Sequence, residues 1–280
     1  MTGPDRYAVI GHPIAHSRSP WIHAQFARQT GQDMEYSALD VAPAELAARL
    51  RDFFAQGGRG LNVTIPHKQA VLELLGGLSE RARIAGAVNT IVRESGGALL
   101  GDNTDGAGLV RDLTRNLHLP VAGRRVLLLG AGGAARGLLA PLLALEPAVV
   151  VIANRTAERA LELARKFGRY GPVQGGGFER PPDTPFELII NATAASLHGE
   201  LPPLPVEVLR AARICYDLMY APGGTAFLRW ARECGVAGCF GGAGMLVEQA
   251  AESFLLWRGV RPDTSAVLAA LSAPAPPAAA

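Results

Sequence analysis

The sequence has little that would tie it to a charged polymer, a membrane or an oxidising compartment. Its 27 lysines and arginines nearly balance 25 acidic residues, leaving a net charge of +2 over 280 residues. Without a charge excess or a basic tract, binding to nucleic acid or to an anionic surface is not expected. Cysteines number three, Cys215, Cys234 and Cys239. An odd count confined to the C-terminal part makes no disulfide framework and fits a reducing cytoplasm. Cys234 and Cys239 have no flanking histidine pattern, so no metal site is expected. His12 and His16 of "HPIAH" are separated by a proline and read as loop residues. The apolar run "GLLAPLLAL" is far short of a membrane span. Near the N-terminus, "YAVIGHPIAH" follows Asp5 and Arg6 and is broken by His12 and Pro13, so no secretory signal is expected.

What is there reads as a globular α/β protein. An apolar fraction of 49% against 19% charged residues can build a sizeable core, and the length suits two ordinary domains or one large one. "RYAVIG" (6–11) reads as a strand and "SPWIHAQFARQTG" (19–31) as a helix. Ser19 suits its N-cap, Pro20 its first position and Gly31 its C-cap. "MEYSALDV" is a second strand, "PAELAARLRDFFAQG" a helix striped by Leu46, Leu50 and Phe53 or Phe54, and "GLNVTI" a third strand. The order βαβαβ predicts a mainly parallel sheet covered by helices.

A helical segment follows Asp105, and a fresh α/β unit starts near residue 106. "GRRVLLLGAGGAARGLLAPLLALEPAVVVIANRTAERALELARKFG" runs strand, Gly-rich turn, helix, strand, turn, helix. "FELIINAT" and "ARICYDLMY" add two strands. "GAGMLVEQAAESFLLWRGV" is a closing helix with Val247, Ala250, Ala251 and Phe254 as its apolar stripe. Met245 and Gln249 lie opposite that stripe and are expected to face solvent or a cleft. The tail "SAPAPPAAA" is low-complexity and expected to be disordered.

Two stretches carry chemistry. In "LNVTIPHK" (61–68), Leu61, Val63 and Ile65 alternate with Asn62 and Thr64, the period of a half-buried strand. Pro66 ends the ladder for want of an N–H, and Lys68 stands just beyond. Asn62 and Thr64, two apart, share one face. In "LLLGAGGAARG", Gly130-x-Gly132-x-x-Ala135 follows a strand and opens a helix, the context a dinucleotide fingerprint requires. Gly130 permits the tight turn, Gly132 lets a pyrophosphate reach the backbone, and Ala135 allows close packing. About 20 residues on, where an NAD site usually places an acid, the chain has Asn154 and Arg155, with Arg159 following. An arginine there pairs with a 2′-phosphate, so NADP is preferred over NAD.

Polar groups gather at strand and loop ends of the first half: Ser17, Ser19, Asn62, Thr64, Lys68, Asn89 and Asp105. Each alone has a structural explanation as a cap, a turn or a solvated charge. Together they suit a polyhydroxylated small acid, with one lysine and one carboxylate for proton transfer. A nicotinamide enzyme reducing a ketone needs a group that delivers a proton to oxygen. Desolvation would lower a lysine's pKa toward neutrality and a nearby aspartate would raise it; which effect wins is not legible in the sequence.

With these motifs the chain resembles the shikimate dehydrogenase family over nearly its whole length. The resemblance rests on "HSRSP", "NVTIPHK", "GAVNT", "GDNTDGAG", "GAGGAA", "NRT", "INAT", "DLMY" and "GGAGMLVEQAA", in that order. It implies NADPH-dependent reduction of 3-dehydroshikimate to shikimate, on the way to aromatic amino acids. It also implies a discontinuous substrate domain, residues 1–105 and 242–280, a Rossmann-like NADP domain, residues 106–241, and a C-terminal helix returning to the first. By resemblance Lys68 is the proton donor and acceptor, paired with Asp105, and Ser17 and Ser19 hold the substrate carboxylate. Thr64, Asn89, Asp105 and Gln249 bind ring hydroxyls, Tyr220 contacts the substrate, and Asn62 lines the same cleft. On the cofactor side Gly130, Ala131, Gly132, Gly133 and Ala134 hold the pyrophosphate. Asn154, Arg155, Thr156 and Arg159 hold the 2′-phosphate end, and Thr193, Leu218 and Gly242 lie near ribose or nicotinamide, with Glu80 across the cleft. The family's "NATS" is "NATAAS" here, with Ala194 at the serine. The alternative reading is a quinate/shikimate dehydrogenase with relaxed NAD(P) use. No metal is implied, the protein is expected to be a monomer or homodimer, and two crossings between domains, near residues 105 and 241, suggest hinge closure.

Overall fold

A computed structural model of the chain describes residues 3–179, 185–221 and 223–272. The disorder expected of the tail lies outside the described residues.

The first half begins as the pattern predicts, with β1 (Asp5–Gly11), α1 (Ser19–Thr30), β2 (Met34–Asp40), α2 (Leu46–Ala55) and β3 (Gly58–Val63). Short elements follow: β4 (Gly77–Leu78), α3 (Glu80–Ala85), β5 (Thr90–Arg93) and β6 (Leu99–Asp102). The sheet order is β2-β1-β3-β5-β6-β4. β1 runs parallel to β2 and β3, whereas β5 is antiparallel to both β3 and β6. The parallel sheet therefore carries an antiparallel hairpin, turned at Glu94–Gly97, whose four-residue strands are too short to show a period.

α4 (Asp105–Arg111) and a π-helical turn, Asp112–Asn116, lead into the second half. There β7 (Arg125–Leu129), α5 (Gly133–Leu143), β8 (Val149–Ala153), α6 (Ala157–Phe167), β9 (Val173–Gly176), β10 (Leu188–Asn191), α7 (Val206–Arg210), β11 (Ile214–Asp217), α8 (Ala226–Glu233) and β12 (Gly238–Gly241) follow. Their sheet is parallel throughout, in the order β12-β11-β10-β7-β8-β9. This is the doubly wound layout expected of a nucleotide-binding unit, with the turn after its first strand at the switch between β7 and β10. α9 (Ala243–Arg258) and α10 (Ser265–Ser272) close the chain.

α9 returns to the first sheet. Val247, Ala250, Ala251 and Phe254 are fully buried against Ile22 and Phe26 of α1, and burying each large side chain contributes about 1.5–3 kcal/mol. The two halves share a seam. Leu109 and Leu113, after the first crossing, and Met245, after the second, pack in one core with Leu128, Leu138 and Ile190 of the second sheet. Gly108 makes the seam possible, because a Cβ there would stand 2.7 Å from that of Gln249. At this point α4 and α9 approach closely because one of them has no side chain.

Three local expectations change. Ser19 lies inside α1 rather than capping it; Arg18 is the N-cap, and the Ser17 hydroxyl accepts the Ser19 N–H at 3.3 Å. β3 is buried on both faces, with Leu61, Asn62 and Val63 at 0, 6 and 2% exposure, because α2 covers one face and α9 the other. It ends at Val63, so Thr64 lies past it. Met245 faces neither solvent nor cleft but the shared core, at 7% exposure.

Candidate active site

Lys68 and Asp105 come together from either side of β5 and β6. The Lys68 ammonium donates to Asp105 Oδ2 at 2.5 Å, with side chains only 13% and 5% exposed. Lys68 lies in the turn after β3, which is stitched to the sheet by the Val88 N–H donating to the Lys68 carbonyl and by His67 Nε2 at 2.7 Å from the Val41 carbonyl. Asp105 opens α4, and its N–H donates to Asn103 Oδ1 at 3.2 Å.

Asn89 is the hub beneath this pair, 2% exposed. Its amide donates to Asp105 Oδ1 and Thr104 Oγ1, each at 2.8 Å, and to Gln249 Oε1 at 3.2 Å. Its Oδ1 accepts from the Thr104 N–H and the Thr90 hydroxyl, again at 2.8 Å. A buried polar layer continues outward. Asn62 donates to the Asn89 carbonyl, to Thr90 and to Ser253 of α9, and accepts from the Tyr36 hydroxyl at 2.7 Å. Asn62 thus ties β2, β5 and α9 together beside Asn89.

The other residues expected to meet substrate differ in burial. Ser19 is buried and Ser17 half-buried, flanking the exposed Arg18. Tyr220, on the loop after β11, reaches across to Arg18; burial pushes its hydroxyl pKa up, and the arginine's charge counters this. Thr64 is half-buried, its N–H bonded to the Ile10 carbonyl. Gln249 is 9% exposed.

The nucleotide side faces Lys68 directly. A Cβ on Gly133, the first residue of α5, would stand 3.2 Å from the Lys68 Cβ. Gly130 holds φ +103°, and a Cβ there would crowd the Ala192 carbonyl at 3.1 Å, so only glycine serves. Gly132 is exposed with open space beside it, and no side chain caps the helix it starts. Uncapped N–H groups beside open space suit a pyrophosphate. Ala131 is buried and Ala134 half-buried in the same turn. At the end of β8, Asn154 Nδ2 donates to the Thr156 carbonyl at 2.9 Å, folding the "NRT" turn. Arg155, Thr156 and Arg159 are exposed, and among the described residues neither arginine has an ion pair. An unpaired arginine at this turn fits a phosphorylated ribose. Glu80 is exposed at the start of α3.

Sequence reasoning missed the groups that hold these loops. Asp217, 0% exposed, accepts from Ser196 at 2.7 Å, Thr225 at 2.6 Å and the Met219 N–H at 3.0 Å. Asn191 accepts from the Thr193 N–H and hydroxyl, and donates to Ser196 at 3.2 Å. Ser196 thus ties the Thr193 turn to the Leu218 turn two positions past Ala194. Gly242 packs on the Leu218 carbonyl.

Family models match this arrangement in three parts: a shikimate dehydrogenase substrate binding domain at residues 9–91, shikimate / quinate 5-dehydrogenase at 112–174, and a shikimate 5′-dehydrogenase C-terminal domain at 242–271. A shikimate dehydrogenase (NADP(+)) of Methylococcus capsulatus is 57% identical over 98% of this chain and 98% of its own. The chain belongs to the shikimate dehydrogenase family. Among solved structures, an Ael1 enzyme from Pseudomonas putida matches with a TM-score of 0.88 and 47% identity, covering 96% of this chain and 99% of that one. The shikimate 5-dehydrogenase of Thermus thermophilus, solved with NADP(H) and shikimate, matches at 0.82 and 36%, covering 95% and 98%. Family membership accounts for the two-sheet fold and the Rossmann-like nucleotide half. No described helix is long and apolar enough to cross a membrane.

Proposed function

We propose that the protein catalyses the reversible reduction of 3-dehydroshikimate to shikimate with NADPH, Lys68 carrying the proton and Asp105 holding Lys68. The carrying observation is the Lys68–Asp105 pair, nearly withdrawn from water and set against the first turn of α5. The activities named for the Methylococcus and Thermus relatives support the reading.

Bound NADP(H) supplies or accepts the hydride at the ring carbon. Lys68 Nζ gives one proton to the neighbouring oxygen in the reducing direction and takes it back in reverse. Asp105, its other oxygen fixed by Asn89, fixes the direction in which the ammonium points. Ser17 and Ser19 hold the carboxylate, Thr64, Asn89 and Gln249 the ring hydroxyls, and Tyr220 closes over from the second half. Gly130 to Ala134 bind the pyrophosphate. Asn154, Arg155, Thr156 and Arg159 take the 2′-phosphate end, and Thr193, Leu218 and Gly242 border ribose and nicotinamide. Residues 1–105 and 242–280 form the substrate domain and 106–241 the NADP domain, meeting at the shared seam. The protein works in the cytoplasm on a small molecule, as a monomer or homodimer. A second reading, activity on quinate, is favoured by the shikimate / quinate model over 112–174.

Absorbance of reduced nicotinamide tests both. Rapid reduction of NADP by shikimate is expected; comparable rates with quinate or NAD would favour the second reading, and no turnover with any pair would refute both. Lys68→Ala is expected to lower kcat by about 10²–10⁴-fold while shikimate still binds. An unchanged kcat removes Lys68 from the chemistry.

A further inference from the structure

A buried carboxylate with no part in proton transfer stands where the two halves meet. Asp112, in the π-helical turn after α4, is 3% exposed. Its Oδ2 accepts from the Tyr216 hydroxyl at 2.6 Å and its Oδ1 from Asn116 Nδ2 at 2.9 Å. It also lies against the first turn of α9, beside Gly244. The N-cap of α9 is Gly242, with no side chain to offer. Asp112 thus sets a carboxyl group from another segment against the N-terminal turn of a 16-residue helix. The fit is close enough that a Cβ on Gly244 would overlap the carboxylate.

What converges here matters more than the contact itself. Tyr216 is on β11, two residues before Leu218, and Gly242, which leads into α9, packs on the Leu218 carbonyl. Less than two turns along α9, Gln249 reaches the Asn89 amide that holds Asp105. One carboxylate thus joins the strand leading to the cofactor side of the cleft, the helix leading to the substrate side, and the first crossing between them.

We propose that Asp112 and Tyr216 are positioning residues that set α9 against β11, and with it the spacing between the nicotinamide side of the cleft and the Lys68 side. The inference rests on the dehydrogenase reading above. Spacing errors near 1 Å cost about 10²-fold in rate without comparable loss of binding.

The test compares Asp112→Ala, Asp112→Asn and Tyr216→Phe with the parent, by kcat for shikimate oxidation and by calorimetric Kd for shikimate and for NADP measured separately. Parent turnover decides the functional reading; the variant-to-parent ratios decide this one. Folded Asp112→Ala is expected to lose about 30- to 100-fold in kcat, with each binary Kd within about threefold. Asp112→Asn keeps the side chain's shape and an acceptor for the Tyr216 hydroxyl, and should recover most of the loss. Tyr216→Phe removes one oxygen and leaves the Asp112 carboxyl against α9. It should lower kcat about three- to tenfold, and it decides the matter if Asp112→Ala does not fold. A kcat within twofold of the parent in the folded variants overturns the proposal. So does a fall in kcat matched by equal weakening of both binary complexes, which would make Asp112 a scaffold for the whole protein.

Discussion

Lowering the pH from 7 to 5 should cost the folded protein about 2 kcal/mol through one side chain, His23. This histidine lies in α1, completely buried, its ring stacked on Tyr36 at 4.1 Å and 8° and flanked by Phe26, Phe254 and Trp257. Neither ring nitrogen has a hydrogen-bond partner among the described residues. Burial in this aromatic cage pulls its pKa from the usual 6.5 down to about 3. The folded form therefore refuses a proton that the unfolded chain accepts. The contribution is fully present above pH 6.5 and declines as pH falls toward about 3, at up to about 1.4 kcal/mol per pH unit. Integrated from pH 7 to 5, that gives about 2 kcal/mol. Carboxylates titrate in part of this range too, but a variant without the histidine retains them. Urea unfolding of the parent and of His23→Phe at pH 7, 6 and 5 separates the two. The parent should lose about 2 kcal/mol more than the variant across the range. A difference below about 0.5 kcal/mol, the scale of an inconsequential substitution, would mean that the ring is protonated in the fold or solvated there, and would refute the reasoning.

Two further outcomes follow from the site. Arg155→Gln should raise the KM for NADP about 10- to 100-fold, the loss expected of a charge-assisted hydrogen bond. Rates with NAD at saturating shikimate should stay within about twofold, and equal effects on both cofactors would take Arg155 away from the 2′-phosphate. Asn89→Ala should destabilise the protein by at least about 2 kcal/mol, because the Thr104 N–H and Asp105 Oδ1 each lose a buried partner. A melting temperature within about 2 °C of the parent would show that water replaces the amide.

The motifs that carry chemistry were legible because each is local. "GAGGAA" needs only its own strand and helix to be read, and Lys68 and Asp105 each stand at an element boundary marked by proline or by the start of an apolar helix. What joins them was not legible. The layer under the pair draws Asn62, Asn89, Thr90, Thr104 and Ser253 from separate elements, and the Asn62–Ser253 bond spans 191 residues. The alternation in "LNVTI" pointed to a half-buried strand because polar residues at period two ordinarily face water. Here Asn62 faces other buried polar groups, a distinction that composition does not record. β5 and β6, at four residues each, are below the length at which a period can be counted.

α9 shows why a single apolar stripe underdescribed the closing helix. Val247, Ala250, Ala251 and Phe254 meet α1, as their spacing predicts. Gln249 and Ser253, four apart and so on one face, enter the polar layer beneath the Lys68–Asp105 pair. Glu248 and Glu252, also four apart, are held by Arg111, Arg81 and Arg261, and Arg81 continues to Asp102, three residues before Asp105. Met245 faces the second half's core. A helix committed on so many sides has no solvent face for its polar residues to mark, so its sequence shows little amphipathic contrast while most of its surface is buried. The same commitment makes it a sensitive joint. A shift at its N-terminal end moves Gln249, the ion network and the seam with the second half together, and for that reason the effects of Asp112 substitutions should appear in turnover before they appear in binding.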